Sequence, residues 1–459
     1  MIGQASSTPA RRLGVAAAGT RWANLSDEVK RQALDFIIDT FAVMAAGAAH
    51  TSLHPAASRL KGEAGPCTVV GYAGGASANT AALLNGATTT VLQLQDGHRV
   101  ARGHPMSHVL PAALAVAEER DASPEAFLSA VVAGYEVSAR VGRALGGLQD
   151  LLHDTGTFGT IGAAVATAFL VSDANADTIA EAIEGSASVT LFPYRETPIA
   201  GATVHHLYVG LGASIGITAG KAATFGLSSL SGTLENFFGP RAGADFRLDQ
   251  LSAGIDPGGT WQSYELMQAY MKVHPTCAHL NGINDAVLEL IGRGAIAADA
   301  IEAVDVASYG IALDYNIAEP ANDLSARFSI PYAVAIALVN GPLGPKSINE
   351  ATLAKREIRD LAGRVRVRHD PEMDKGYPAG RPARVAVTMK DGTVHRADAS
   401  IPRGDVANPL TTEERREKAV ALFDAGLGTG KASGIIAEIE KLAGMGSLKD
   451  LGTALRSSF

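Results

Sequence analysis

Residues 383–400 read ARVAVTMKDGTVHRADAS. Apolar and polar side chains alternate with a period of two on both sides of Asp391-Gly392, the pattern of two half-buried strands joined by a two-residue hairpin turn. The same texture occurs upstream in AIEAVDVASYG (300–310) and GRVRVRHD (363–370). It begins only after about residue 265. This stretch therefore decides the fold class: a strand-bearing unit over roughly 270–400 is set into a chain that otherwise reads as helix.

Working outward, LSDEVKRQALDFIIDTFAVMAAGAA (25–49) places Val29, Ala33, Ile37, Phe41 and Met44 on one stripe, with Ser26 as N-cap. Segments near 76–94, 108–120, 124–146, 158–172, 176–189 and 207–225 are rich in alanine and leucine and are separated by glycine, proline or aspartate. So many small residues, with only 5% aromatic ones, predict helices whose backbones approach closely. In NPLTTEERREKAVALF (408–423), Thr411 and Glu414 form a capping box that returns the chain to helix. The expected architecture is mostly α, with a large all-helical domain (1–268), a smaller α/β (α+β) lid domain (269–403) and C-terminal helices (404–459) rejoining the first. A length of 459 residues favours more than one core.

Composition narrows the function. Hydrophobic residues make up 47% and charged residues 19%, as in a soluble globular protein. A net charge of -8 argues against a nucleic-acid partner, which requires a basic face. The N-terminal stretch MIGQASSTPARRLGVAAAGTRW is interrupted by Arg21 and Trp22 before a secretory leader would be complete. The longest apolar run, IGAAVATAFLV (161–171), falls short of the about 20 residues a membrane span needs. Two cysteines, Cys67 and Cys277, are too few for a disulfide scaffold or a four-cysteine zinc site and fit a reducing cytoplasm.

Titratable residues cluster. Of twelve histidines, eight (His98, His104, His108, His153, His205, His206, His274 and His279) fall in four short windows. In LQLQDGHRVARGHPMSHVLPAALA (92–115), Asp96 and His98 precede a Gly-His-Pro turn, and a helix is expected to start near Pro111. In HDTGTFGTIGAAVA, beginning at His153, backbone N–H groups before a helix are placed to hold a carboxylate. KVHPTCAHLNG (272–282) is the densest group and falls where helices give way to strands, at an expected interdomain cleft. A lysine desolvated there has its pKa lowered towards neutrality and becomes a base. No His-Glu-x-x-His or paired-cysteine spacing occurs, so no metal is expected. VGLGASIG (209–216) lacks the spacing and preceding strand of a dinucleotide loop, and there is no phosphate-binding lysine loop or Gly-x-Ser-x-Gly elbow.

Six blocks in order, HPMSHVLPAALAVAEE, GYEVSARVGRALG, HDTGTFGTIGAAVATAFL, KVHPTCAHLNGINDAVLEL, ARFSIPYAVAIAL and NPLTTEERREKAVALF, resemble the MmgE/PrpD family over about residues 10–455. That family includes 2-methylcitrate dehydratase, cis-aconitate decarboxylase and iminodisuccinate epimerase. The resemblance implies a helical domain with a smaller α/β lid, no cofactor, a homodimer formed through the helical domain, and a small polycarboxylate substrate. Carried over residue by residue, it makes Lys272, Tyr315, His104 and His153 the expected catalytic residues. Asp96, His98, Arg102, His205, His206 and Cys277 are expected to bind substrate, with Arg99 as a further source of positive charge.

Departures from the family pattern shape the expected reaction. Gln93 and Gly97 stand where dehydratase and decarboxylase members carry an aspartate and a threonine. His205 stands in place of a lysine, Tyr208 in place of a histidine, and Cys277 in place of another histidine. Dehydration and decarboxylation both need a particular acid near the departing group, whereas epimerisation needs two proton carriers and cations for the carboxylates. The expected activity is thus epimerisation of an iminodisuccinate-like dicarboxylate, with a 2-methylcitrate dehydratase or cis-aconitate decarboxylase-like lyase as the alternative.

Overall fold

A computed structural model describes residues 8–294, 296–444 and 446–456; the first seven residues of the stretch read as lacking a leader lie outside them. Ser26 accepts the Val29 N–H and starts a helix at Asp27–Ala48, on which Val29, Ala33, Ile37, Phe41 and Met44 are all buried. Helices Ala78–Thr90, Pro105–Glu119, Pro124–Ala144, Phe158–Val171, Ala176–Val189 and Leu207–Ala222 pack around it in one large apolar core. Small residues make the crossings possible. A Cβ on Gly210 would stand 1.9 Å from the Leu83 carbonyl oxygen, and one on Gly134 would stand 2.6 Å from that of Gly162. None of the described helices is long and apolar enough to cross a membrane.

A second core forms around a four-stranded mixed sheet, so the chain is a large helical domain with a smaller sheet-bearing one. Ile301–Ser308 pairs in parallel with Val365–His369 and antiparallel with Ala383–Met389, which in turn pairs antiparallel with Val394–Ala399. The turn between the last two strands differs from the two-residue expectation. Met389 donates to the Thr393 carbonyl and Gly392 sits at φ +88°, which makes a three-residue loop of Lys390, Asp391 and Gly392. Glycine in the left-handed position closes such a loop without steric cost. The Thr411–Glu414 capping box opens a helix at Thr412–Leu427, which lies on Asp27–Ala48 with Lys418 Nζ 2.6 Å from Asp39 Oδ1.

Two devices join the cores and place the site between them. Gly97–His98 pairs with Ala269–Tyr270, bringing the histidine-rich loop beside the segment that carries Lys272. Behind that pair lies a buried network. Glu136 accepts the Glu265 and Leu266 N–H groups at 2.8 and 2.9 Å and pairs with Arg140 at 2.5 Å, while Arg140 donates to the Ser263 carbonyl. Arg327, inside the ARFS block, is the second device: it donates to the carbonyls of Leu92, Pro275 and Ile348. Buried polar groups satisfied in this way rigidify the junction.

Candidate active site

The helix after the Gly-His-Pro turn starts at Pro105, six residues before the expected position, and Pro111 lies inside it. Asp96 supplies what this helix start lacks. Its carboxylate accepts the Met106 N–H at 3.0 Å and the Ser107 N–H at 3.2 Å, and it takes the Ser107 hydroxyl at 2.8 Å. Burial raises its pKa to about 6 against these hydrogen bonds. Expected to bind substrate, Asp96 instead holds the first turn of the helix that presents His104.

A cleft of about 560 Å³ opens between the two cores. The helical side contributes Gln93, Arg102, His104, His153, Asp154 and Arg195; the sheet side contributes Cys277, His279, Tyr315, Phe328, Tyr377 and Arg381. Tyr270 and Lys272, on the connecting segment, also line it. Of the ten residues expected at the site, Lys272, Tyr315, His104, His153, Arg102 and Cys277 meet here.

Lys272 is 1% exposed, and its ammonium donates to the Gln93 carbonyl at 3.2 Å. Gln93 holds φ +55°, a left-handed conformation that is costly for a residue with a side chain and marks a constrained loop beside the lysine. Burial pulls the Lys272 pKa down to about 8, although the Cys277 thiol and the Asp154 carboxylate oppose it.

Hydrogen bonds select the tautomers of the two histidines on the helical side of the cleft. His104 Nδ1–H donates to the Asp96 carbonyl, leaving the Nε2 lone pair 3.7 Å from Asp154 Oδ2. His153 does the reverse: its Nδ1 accepts the Thr155 N–H at 3.2 Å, so a neutral ring carries its proton on Nε2. Burial lowers His104 to about 4 and His153 to about 3; Asp154 pulls His104 the other way, while Arg195 and Lys272 add to the fall at His153. The Asp154 carboxyl is raised by the same burial, and its Oδ2 has no hydrogen-bond partner among the described residues.

On the sheet side burial holds the Tyr315 hydroxyl protonated, well above the ordinary phenol range, with Cys277 adding to the shift and the Arg195 charge opposing it. The His279 ring stacks on Tyr315 with centroids 5.2 Å apart, and the Tyr309 hydroxyl lies 2.6 Å from its Nδ1. Two contacts cross the cleft: Arg195 pairs with Asp314 at 2.6 Å, and the Arg102 guanidinium lies over the Tyr377 ring at 5.6 Å.

The remaining expected residues are occupied elsewhere. His98 is 1% exposed, donating from Nε2 to the Glu265 carbonyl and accepting the Ala101 N–H at Nδ1. It is part of the junction. Arg99 pairs with Asp405 at 3.2 Å. His206 lies 3.4 Å from the Ser52 hydroxyl, outside the cleft. His205 is fully buried behind His153, with ring centroids 5.0 Å apart. Four N–H groups of the HDTGT segment are not free for a carboxylate either: those of His153, Thr155, Gly156 and Thr157 go to Pro193, His153, His108 and Asp154.

Asp154, Arg195, His279, Tyr377 and Arg381 line the cleft without having been singled out as site residues. Asp154 adjoins His153, and His279 belongs to the dense KVHPTCAHLNG group, so both carried a signal. Arg195, Tyr377 and Arg381 stand in unpatterned loops, and only the chain's topology brings them in.

The N-terminal domain model of MmgE/PrpD proteins matches residues 11–243, and the C-terminal domain model matches residues 274–443. The chain belongs to the MmgE/PrpD family. Among MmgE/PrpD relatives, the cis-aconitate decarboxylase of Aspergillus terreus is 25% identical over 382 residues, covering 76% of this chain and 75% of that protein. The human cis-aconitate decarboxylase is 25% identical over 355 residues, covering 74% and 71%. A cis-aconitate decarboxylase-like protein of Aspergillus oryzae is 26% identical over 384 residues, covering 77% of each. The two MmgE/PrpD domain matches part between residues 243 and 274, and that interval contains Tyr270 and Lys272 at the base of the cleft.

Proposed function

We propose that this MmgE/PrpD protein is a cofactor-independent epimerase that exchanges a proton at the carbon α to a carboxylate of a small acid bearing two or more carboxylates, such as the tetracarboxylate iminodisuccinate. The observation that carries this reading is the pairing, in one cleft, of a buried lysine lowered to about 8 with a histidine whose Nε2 lone pair faces a carboxylate. The neutral Lys272 amine takes the α-proton: the C–H bond breaks, an N–H bond forms, and the electron pair moves onto the adjacent carboxylate. Tyr315, kept protonated, donates to the developing oxyanion. The His104–Asp154 pair holds one proton between its two members and delivers it to the other face of the carbon. His153, with its proton on Nε2, orients the bound acid.

The similarity to cis-aconitate decarboxylases favours a second reading, a lyase acting on a tricarboxylate. Cis-aconitate and 2-methylcitrate, incubated separately with the protein, distinguish the two. The epimerase reading expects neither carbon dioxide from the first nor a new alkene from the second, but loss of optical rotation from a single stereoisomer of iminodisuccinate. Carbon dioxide or alkene production overturns it in favour of the lyase.

The protein acts as a homodimer in the cytoplasm on this reading. Val189, Phe192, Tyr194, Val204, Leu211, Phe225, Leu227, Leu230 and Phe237 are all exposed and concentrated in one stretch of the helical domain. Apolar exposure of that density marks a protein contact, and Tyr194 and neighbouring Arg195 continue it to the cleft rim, which favours a second copy of the same chain. Sedimentation equilibrium is expected to return twice the chain mass; a monomer at micromolar concentration contradicts the dimer.

A further inference from the structure

Three arginines line the cleft, and they differ in one respect. Arg195 is neutralised by Asp314, and Arg102 is exposed and rests on Tyr377. Arg381 is 7% exposed, and among the described residues it has no carboxylate in ion-pair range and no hydrogen-bond partner for Nε. Asp405, a carboxylate that acts on its charge from beyond ion-pair range, is engaged by Arg99. Two other buried arginines have more partners: Arg140 pairs with Glu136, and Arg327, although its Nε is also without one among the described residues, donates to three carbonyls from its terminal nitrogens. A buried guanidinium without an anion is costly, and its planar fork matches a carboxylate.

The placement of Arg381 is built. Its N–H donates to the Ser400 carbonyl at 3.0 Å, and its own carbonyl is packed so closely on the helix Asn281–Gly292 that a Cβ on Gly282 would stand 2.1 Å from it. The guanidinium carbon lies 5.2 Å from the centre of the Tyr270 ring. That ring lies against Gly97, where a Cβ would come within 2.2 Å of it. The absence of a side chain at 97 thus admits the ring, and the ring supports the guanidinium at the cleft wall.

We propose that Arg381 is the specificity-determining residue that holds the substrate carboxylate remote from the reacting carbon, so that the site requires at least two carboxylates. The inference rests on the polycarboxylate reading above and adds the residue that enforces it. Lys272 and Arg381 then divide the substrate between them, one at the carbon that exchanges its proton and one at the far end.

Calorimetric titration of the full-length protein with succinate and with succinamate, which replaces one carboxylate by an amide of the same shape, tests this directly. The wild-type protein is expected to bind succinate at least tenfold more tightly than succinamate. Arg381→Gln is expected to bring succinate to the succinamate level while leaving succinamate binding within about twofold. Arg381→Lys keeps the charge without the fork and is expected to fall between the two. If Arg381→Gln does not fold, as judged by its thermal melt, Arg381→Lys and Tyr270→Leu carry the test. A succinate-to-succinamate ratio unchanged in the folded variants overturns the Arg381 anchor and leaves the polycarboxylate reading intact. A wild-type protein that binds neither anion, or both equally, overturns the polycarboxylate reading along with the anchor.

Discussion

Replacing Lys272 by methionine is expected to lower turnover by about 10³-fold, within the range by which positioned general bases accelerate proton transfer, while leaving the protein folded. Lys272 is enclosed by the cleft walls, and its recorded hydrogen bond goes to a single carbonyl, that of Gln93. Methionine fills the same volume without a buried charge, so the urea midpoint is expected to hold or rise. The pH profile carries the same prediction with a defined sign. A base must be deprotonated to act, and the Lys272 pKa is pulled down to about 8, so kcat/KM is expected to rise with pH and level off above about 8. A profile already flat below pH 7 contradicts Lys272 as the base. Stopped turnover together with a collapsed urea midpoint would instead make Lys272 structural.

His104→Gln is the second large effect, expected at about 10²-fold in kcat with KM nearly unchanged. Glutamine can still donate to the Asp96 carbonyl that now orients His104 Nδ1–H, so the start of the helix Pro105–Glu119 is preserved. What is lost is the Nε2 lone pair beside Asp154, the atom assigned to carry the second proton. Burial holds His104 at about 4, so the ring is neutral at working pH and accepts a proton only with Asp154 alongside. Asp154→Asn is therefore expected to mimic His104→Gln, and combining the two is expected to cost little more than either alone, because they act as one unit. Additive losses would separate them and make the protonated Tyr315 the carrier of the second proton.

The architecture was legible where local pattern and tertiary packing agree. The stripe from Val29 to Met44, the Ser26 cap and the Thr411–Glu414 capping box are short-range signals, and the structure uses each as written. The strand alternation in 383–400 was equally clear, but the hairpin loop gained a residue because Gly392, not the Asp391-Gly392 pair, takes the left-handed position. Histidine density pointed to the right part of the chain without distinguishing roles. His98 and His104 stand six positions apart, yet one is bound into the junction by Glu265, 167 residues away, and the other faces the cleft. Arg381 was silent in the sequence for a related reason. Its meaning depends on having no carboxylate in ion-pair range among the described residues, and on Gly97 and Tyr270 meeting across a strand pair, neither of which leaves a trace in local spacing.

Proton NMR in deuterated water, with purified protein and a single stereoisomer of iminodisuccinate, tests the central claim most directly. Proton exchange at the α-carbon predicts that the α-hydrogen signal decays, that optical rotation is lost in step, that no alkene resonance grows, and that Lys272→Met slows all of these together. An α-hydrogen signal that persists under wild-type enzyme, or one that exchanges equally fast with the Lys272 variant, contradicts the account.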